Sequence, residues 1–454
     1  MQNAIKLTFA GAADTVTGSR HLVEIGEQRI LLDCGLYQGY KTLRERNWAP
    51  FPVPAQELDA VLLSHAHLDH SGYLPILCRE GYRGPIYCSA PTRDLAEIML
   101  LDSAHLLQEE ANFANRHAYS KHSPARPLYD VNDVRRCLKR FVPVAWGKAI
   151  RIGRVEASFS KAGHLLGAAT ARLTHQKRSV LFSGDLGRNQ DVLMPPPAAP
   201  PAADVLLLES TYGNRIHPPE DAAEALARVI RETAARGGTV LMPSFAVGRA
   251  QALLLYIARL IREGRIPKLP VFLDSPMASR ATQVFKKHAE ELRISNDDMR
   301  ALLSCAKSVA TPDESKAISQ LKYPAIIIAG SGMATGGRIL HHLKTYAPNP
   351  RNHIVFPGFQ VAGTRGAKLL AGERTTKIHG GYVEVNAQVT QIESLSGHAD
   401  ADELMRWLRQ FRRPPRQVFV VHGEREATDA LRLRIRDELG WSADAVEHMQ
   451  HVLV

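Results

Sequence analysis

The sequence predicts an α/β protein of more than one domain, and three observations carry that reading. First, between about residues 215 and 385, short apolar runs alternate with helical patterns, the signature of a parallel sheet covered by helices. The units are Thr239–Pro243 into Ser244–Arg249, Val271–Leu273 into Asp274–Met277, Ala325–Ala329 into Gly330–Arg338, and His353–Phe356 into Pro357–Gln360. Second, residues 1–34 hold three strand-like runs, Ile5–Ala10, His21–Ile25 and Arg29–Asp33, separated by turns rich in Gly, Ser and Thr. Third, apolar runs elsewhere end repeatedly in a histidine or carboxylate: Ala60–Leu63 before Ser64-His65, Ser179–Phe182 before Asp185, Val205–Leu208 before Glu209, and Val418–Val421 before His422. At 454 residues the chain has room for two or three domains with substantial cores.

Composition narrows the class. The chain is 45% hydrophobic and 23% charged, as expected of a globular protein, and no apolar run approaches the ~20 residues of a membrane span. Met1-Gln2-Asn3-Ala4-Ile5-Lys6 goes straight into strand-like sequence, so no secretory leader is expected. Cys34, Cys78, Cys88, Cys137 and Cys305 are scattered without a CxxC pair. They read as reduced thiols of a cytoplasmic protein, with no disulfide framework or zinc knuckle. The formal net charge of +11 points to a polyanionic partner, of which nucleic acid is the commonest.

The chemistry centres on Ser64-His65-Ala66-His67-Leu68-Asp69-His70. Neutral imidazole and carboxylate are the ligands that zinc and neighbouring first-row divalent ions accept. On an extended turn His65 and His67 point the same way, whereas Asp69 and His70 reach a second point nearby, which suits two metals. His164 lies about 100 residues later in the Gly-flanked turn Ala162–Gly167. Asp185 closes a buried strand, where its two oxygens can bridge two cations. Asp33 closes another, and either orients a ligand histidine or bonds its own turn. Ser396-Gly397-His398-Ala399-Asp400 and His422-Gly423-Glu424 place two further histidines in strand-to-helix turns. His105, His117 and His122 read as solvated or rim residues, and His341, His342, His379, His448 and His451 receive no role. Met194–Pro201 reads as a rigid surface segment and Arg406–Arg416 as a solvated helix face. The Ser331–Arg338 loop has two readings: its backbone N–H groups cradle a phosphate, or its glycines merely make a tight turn.

His65-x-His67-x-Asp69-His70 at a strand end resembles the signature of metallo-β-lactamase-fold hydrolases. The insertion and the late histidines resemble the β-CASP nucleases within that group, across essentially the whole chain. Asp33 matches the first family motif, His65 to His70 the second, His164 the third and Asp185 the fourth. Glu209, His398 and His422 match the three that follow. The resemblance implies a metallo-β-lactamase αββα sandwich with an inserted parallel α/β β-CASP domain. Its expected divisions are a first sandwich part at 1–208, the β-CASP domain at 209–385, and a C-terminal sandwich part at 386–454.

The resemblance also implies a zinc-dependent ribonuclease that hydrolyses phosphodiester bonds and leaves 5′-phosphate and 3′-hydroxyl ends. One zinc ion is expected on His65, His67 and His164, the other on Asp69, His70 and His422, with Asp185 bridging; manganese is also compatible. Two cations ~3.5–4 Å apart lower the pKa of a shared water for in-line attack at phosphorus. His398, held by Glu209, is the expected acid for the leaving oxygen, so Asp69, Asp185, Glu209 and His398 form the expected catalytic set. Histidine rather than valine at position 422 favours RNA over DNA. Single-stranded RNA is the expected partner, lying in a groove between domains, with Ser244, Arg249, Ser331, Thr335 and Arg338 as weaker candidates for its phosphates. Endonuclease action is the expectation, with a 5′-exonuclease mode as the alternative, and a homodimer is allowed. Competing readings are a DNA-processing nuclease of the same family and a catalytically silent RNA-binding subunit.

Overall fold

The computed structural model describes residues 4–117 and 122–454. Met1–Asn3, on which the N-terminal expectation partly rests, lie outside the described residues. Two compact units emerge. One comprises residues 1–190, 195–216 and 398–454, and the other residues 191–194 and 217–397. The divisions fall at Ile216/His217 and Gly397/His398 rather than at 208/209 and 385/386. The reason is local: the turn after Glu209 stays with the first unit, whereas the strand Gln388–Gln391 belongs to the sheet of the second.

Among the described residues, the first unit contains two seven-stranded sheets. The first runs, in spatial order, His451–Leu453, Ile5–Phe9, His21–Ile25, Gln28–Leu32, Ala60–Leu62, Ile86–Cys88 and Phe141–Pro143. The second runs Ala443–Ala445, Gln417–Val421, Val205–Glu209, Arg178–Phe182, Ala169–His175, Val155–Lys161 and Ile150–Ile152. Strand Ala60–Leu62 is buried at every position between two parallel neighbours, which explains its unbroken apolar sequence. Val155–Lys161, between antiparallel neighbours, instead alternates buried and more exposed residues. The inner faces of both sheets share one core, with Phe9, Leu32, Leu62, Phe159, Phe182, Leu207 and Phe419 buried together.

The pairing decides where the chemistry lies. Gln28–Leu32 and Ala60–Leu62 are parallel, so Asp33 and Ser64-His65 emerge at one edge of their sheet. Arg178–Phe182, Val205–Glu209 and Gln417–Val421 are parallel neighbours in the other, so Asp185, Glu209 and His422 also share an edge. Carboxyl ends of parallel strands are where such sheets carry their sites.

The second unit is a parallel sheet in the order Lys307–Ser308, Val271–Asp274, Ile326–Ala329, Val240–Pro243, His353–Phe356 and Gln388–Gln391. Helices such as Ala222–Ala235, Arg249–Arg262 and Ile339–Tyr346 separate its strands in sequence. At one strand end the fully buried Asp274 gathers a network. It accepts from His342 Nε2 (2.6 Å), from the Ser315 hydroxyl and from Arg338 Nη1. Burial alone would raise the Asp274 pKa, but the hydrogen bonds from His342, Ser315 and Arg338 hold it below the ordinary carboxylate value. The stability this contributes is present above about pH 4 and is lost as the pH falls through the lowered pKa.

Replacing Asp274 by Ala leaves the buried His342 imidazole and the partly exposed Arg338 guanidinium without their shared acceptor, which should cost about 3 kcal/mol. Hydrogen exchange of the Ile326–Ala329 amides checks this, with an expected acceleration on the order of 100-fold.

Candidate metal centre

Asp33 is the anchor of the site. It follows its strand with φ +59°, in the left-handed region, and is fully buried. Oδ2 accepts from His70 Nδ1 at 2.6 Å, from the Ser64 hydroxyl at 2.8 Å and from Ser19 at 3.3 Å, and Oδ1 accepts the Ser64 amide at 2.7 Å. Because Asp33 takes the Nδ1 proton of His70, Nε2 is the nitrogen left facing the site, where a bound cation would take the place of its proton. The backbone repeats the attachment: Cys34 N donates to His70 O (2.7 Å), Leu36 N to Leu68 O (2.8 Å), and Ser19 N to Asp69 O (2.8 Å). Gly35 lies flat against this turn, and a Cβ there would stand 1.6 Å from Asp69 O.

Two donor sets converge at the strand ends. In the first, His65 Nε2 lies 3.0 Å from His67 Nδ1, and His164 Nε2 lies 3.3 Å from that same nitrogen. Asp185 Oδ2 is 3.6 Å from His65 Nε2 and 3.7 Å from His164 Nε2. In the second, His70 Nε2 lies 3.0 Å from His422 Nε2, and Asp69 Oδ2 lies 3.7 and 3.5 Å from these two nitrogens. Asp185 Oδ1 is 3.4 Å from His70 Nε2 and 3.6 Å from His422 Nδ1. One carboxylate therefore turns an oxygen toward each set. Its Oδ1 is buried without a hydrogen-bond partner among the described residues.

Converging imidazole lone pairs around a buried, unsatisfied carboxylate oxygen are a poor protein interior and a good cation site. The donor chemistry, nitrogen-rich with carboxylate oxygen, fits zinc or a neighbouring divalent ion.

The electrostatics describe a site that calls for positive charge: burial opposes protonation of His70, but Asp185, Asp33 and Asp69 raise its pKa well above the ordinary histidine value. Burial, then His70, press the His65 imidazole well below its usual pKa, and burial takes His67 to about 4, so both offer neutral nitrogen. Burial would raise Asp69, yet His70 and His422 hold it at about 2. Burial also opposes ionisation of Asp185, but His422, His70 and His65 keep its pKa well below the usual value.

A third grouping adjoins these. Glu209 Oε1 accepts the Leu186 amide at 2.6 Å, and Oε2 lies 3.4 Å from His398 Nδ1. His398 is drawn in by backbone contacts that pair it with Gly187, and its ring sits 4.3 Å from that of His164. Burial opposes protonation of His398, but Glu209 and then Asp185 raise its pKa above the ordinary histidine value. Asp69, Asp185, Glu209 and His398 thus share one neighbourhood.

Sequence reasoning passed over the hydroxyls that orient these rings. Ser19 and Ser64 serve Asp33, and Thr211 Oγ1 lies 3.2 Å from His422 Nδ1. Serine and threonine near a strand end carry no distinguishing signal. His342 was also passed over and proves to be a buried partner of Asp274. The other histidines without a role lie apart: His117 against Phe113, His341 against His379, and His448 on the Tyr37 hydroxyl.

In the second unit, the phosphate candidates are largely engaged by the protein itself. Arg338 gives Nη1 to Asp274 and the Val309 carbonyl and Nη2 to the Ala310 carbonyl. Ser331 Oγ accepts the amides of Thr335 (3.0 Å) and Gly336 (3.2 Å), so the loop fills its own cradle. Ser244 is buried and donates to the Phe245 carbonyl. Thr335 is exposed, and Arg249 opens the helix Arg249–Arg262.

Substituting Asp33 by Ala should weaken metal affinity about 10- to 100-fold, measured by chelator competition. Gly35→Ala should displace the Asp69–His70 backbone, costing about 1–3 kcal/mol in denaturant unfolding and lowering the metal content of the purified protein.

Three family models match this chain: a metallo-beta-lactamase superfamily domain over residues 22–196, a Beta-Casp domain over 250–369, and a Zn-dependent metallo-hydrolase RNA specificity domain over 382–446. The chain is 40% identical to Ribonuclease TTHA0252 of Thermus thermophilus, over 93% of this chain and 94% of that protein. It is 31% identical to the transcription termination factor FttA of Methanosarcina mazei, over 99% of this chain and 71% of that protein. It is 34% identical to the FttA of Methanocaldococcus jannaschii, over 92% and 67% respectively. A crystal structure of a protein of unknown function from Enterococcus faecalis shares the fold, with a TM-score of 0.53 at 13% identity over 99% of this chain and 100% of that one. With its histidine and carboxylate clusters at the strand ends of a two-sheet unit and a parallel α/β insertion, the chain belongs to the β-CASP family of metallo-β-lactamase-fold hydrolases.

Proposed function

We propose that this protein is a zinc-dependent ribonuclease acting on single-stranded RNA, leaving 5′-phosphate and 3′-hydroxyl ends in RNA processing or decay. The observation that carries the reading is Asp185, whose Oδ2 faces His65 and His164 while Oδ1 faces His70 and His422. A carboxylate so placed suits two cations rather than one. The ribonuclease relative and the match to an RNA specificity domain support RNA as the substrate.

In this reading His65, His67 and His164 would hold one ion, Asp69, His70 and His422 would hold the other, and Asp185 would offer one oxygen to each. When bound, the pair supplies an acidified water and positive charge opposite the phosphate oxygens. The chain's own groups do the rest. Asp33 and Thr211 fix the His70 and His422 rings through their Nδ1 atoms, leaving Nε2 of each turned toward Asp69. Glu209 faces His398 Nδ1 and so leaves Nε2 to deliver a proton to the departing 3′-oxygen. Zinc follows from the imidazole-rich set, with manganese an alternative occupant of the carboxylate-containing one. In the second unit, Ser244, Arg249, Ser331, Thr335 and Arg338 remain the weaker candidates for phosphate contacts.

A denaturing gel of 5′-labelled single-stranded RNA, with and without chelator, tests the reading. Internal fragments that vanish with chelator establish an endonuclease, and mononucleotide release establishes the 5′-exonuclease mode. RNA that is bound but left intact points to a silent binding subunit. Asp69→Ala should abolish cleavage while retaining RNA binding, and normal turnover in that variant would remove the two-metal proposal. His398→Ala should lower kcat by about 10²- to 10⁴-fold with metal content unchanged.

A further inference from the structure

Arg20 is a buried cation that forms no ion pair among the described residues. Its guanidinium lies 3.9 Å from the Tyr73 ring centroid and 5.1 Å from that of Tyr37. It donates to the Gly35 carbonyl (2.7 Å) and to Asn47 Oδ1 (3.0 Å). Asn47 is itself buried; its Oδ1 accepts the Tyr37 amide and its Nδ2 donates to the Tyr37 carbonyl. Burying a charge without a carboxylate is costly, and here it fastens one surface segment to the backbone that carries Asp33 and braces Asp69.

That segment is Tyr40–Trp48, a short helix over Lys41–Glu45 continued by a 3₁₀ turn over Arg46–Trp48. Its outer face is unusual for a surface. Tyr40 is 53% and Trp48 61% exposed, although large aromatics are ordinarily turned inward. Lys41 and Arg44 lie between them, both exposed. Lys41 shares a 3.8 Å ion pair with Glu45, too solvated to hold it from another anion. Arg44 forms no ion pair among the described residues. Aromatic rings interleaved with cations, on a segment tied through Asn47 and Arg20 to Gly35, two residues after Asp33, have the chemistry of a surface for single-stranded nucleic acid, in which bases stack and phosphates meet lysine or arginine.

We propose that Tyr40–Trp48 is an RNA-contact surface of this protein, with Tyr40 and Trp48 stacking bases and Lys41 and Arg44 meeting the backbone. This rests on the ribonuclease reading above. Arg20 and Asn47 are positioning residues that hold the surface in register with the site.

The test uses the full chain and a fluorescein-labelled oligouridylate of about 12 nucleotides, within the range one such site covers. Binding is measured in chelator so that the probe stays intact, and hydrolysis of bis(p-nitrophenyl) phosphate is measured separately as a diester too small to reach the segment. Tyr40→Ala and Trp48→Ala should each weaken oligonucleotide binding about 5- to 100-fold, with Trp48→Phe retaining most of it. The double variant Lys41→Gln, Arg44→Gln should reduce the slope of log affinity against log salt by about 1.4, or 0.7 per charge. Hydrolysis of the small diester should be unchanged in all of them. Unchanged oligonucleotide affinity would overturn the proposal and leave the exposed aromatics to a protein partner. Equal loss of binding and of small-diester hydrolysis would also overturn it, because the substitutions would then act through the folding of the site. If the unsubstituted protein hydrolyses the small diester but neither binds nor cuts RNA, the ribonuclease reading itself fails, and this surface with it.

Discussion

The Asp33 carboxylate is the constraint on which the rest of the site depends. It accepts from His70, Ser64 and Ser19, and so ties the histidine motif to the turn that precedes the second strand. In a dry interior these charge-assisted bonds are strong, and leaving any of the donors unpaired would be costly. The same carboxylate selects the His70 tautomer, which turns Nε2 toward Asp69, Asp185 and His422. The left-handed conformation of Asp33 is a strain that this convergence of donors is placed to sustain.

From that anchor the architecture follows a single rule. Parallel pairing delivers strand ends to one edge of a sheet, and two such edges facing each other assemble a site from side chains far apart in sequence. Asp33 and His65 come from one sheet, and Asp185, Glu209 and His422 from the other. An aromatic core packs between the sheets, and the charges of the partly exposed Asp69 and the buried Asp185 are held ionised by the histidines around them.

Much of this was legible in the sequence because rare residues marked it. Three histidines and an aspartate within six positions after an apolar run, and carboxylates closing later apolar runs, point to the side chains that the structure gathers. What escaped was of another kind. Ser19, Ser64 and Thr211 are common residues whose roles exist only through distant partners. Arg338 read as a ligand contact because nothing local reveals that Asp274 takes its guanidinium. The Ser331 loop stood between a phosphate cradle and a tight turn because a glycine-rich pattern does not show that its own hydroxyl fills it. The turn from sandwich to insertion was displaced for a similar reason: the strand Gln388–Gln391 is polar, and only its pairing with His353–Phe356 assigns it to the inserted sheet.

The C-terminal strands carry a consequence for how this protein comes to life. Gln417–Val421 completes one sheet beside Val205–Glu209, and His451–Leu453 completes the other beside Ile5–Phe9. The contact between His70 and His422 spans 352 positions. Local strand pairs such as Ile5–Phe9 with His21–Ile25 need few residues to form, but the donor set closes only once Gln417–Val421 has paired beside Val205–Glu209. The site is therefore a product of long-range pairing, and its assembly is tied to the slowest, most non-local contacts of the fold.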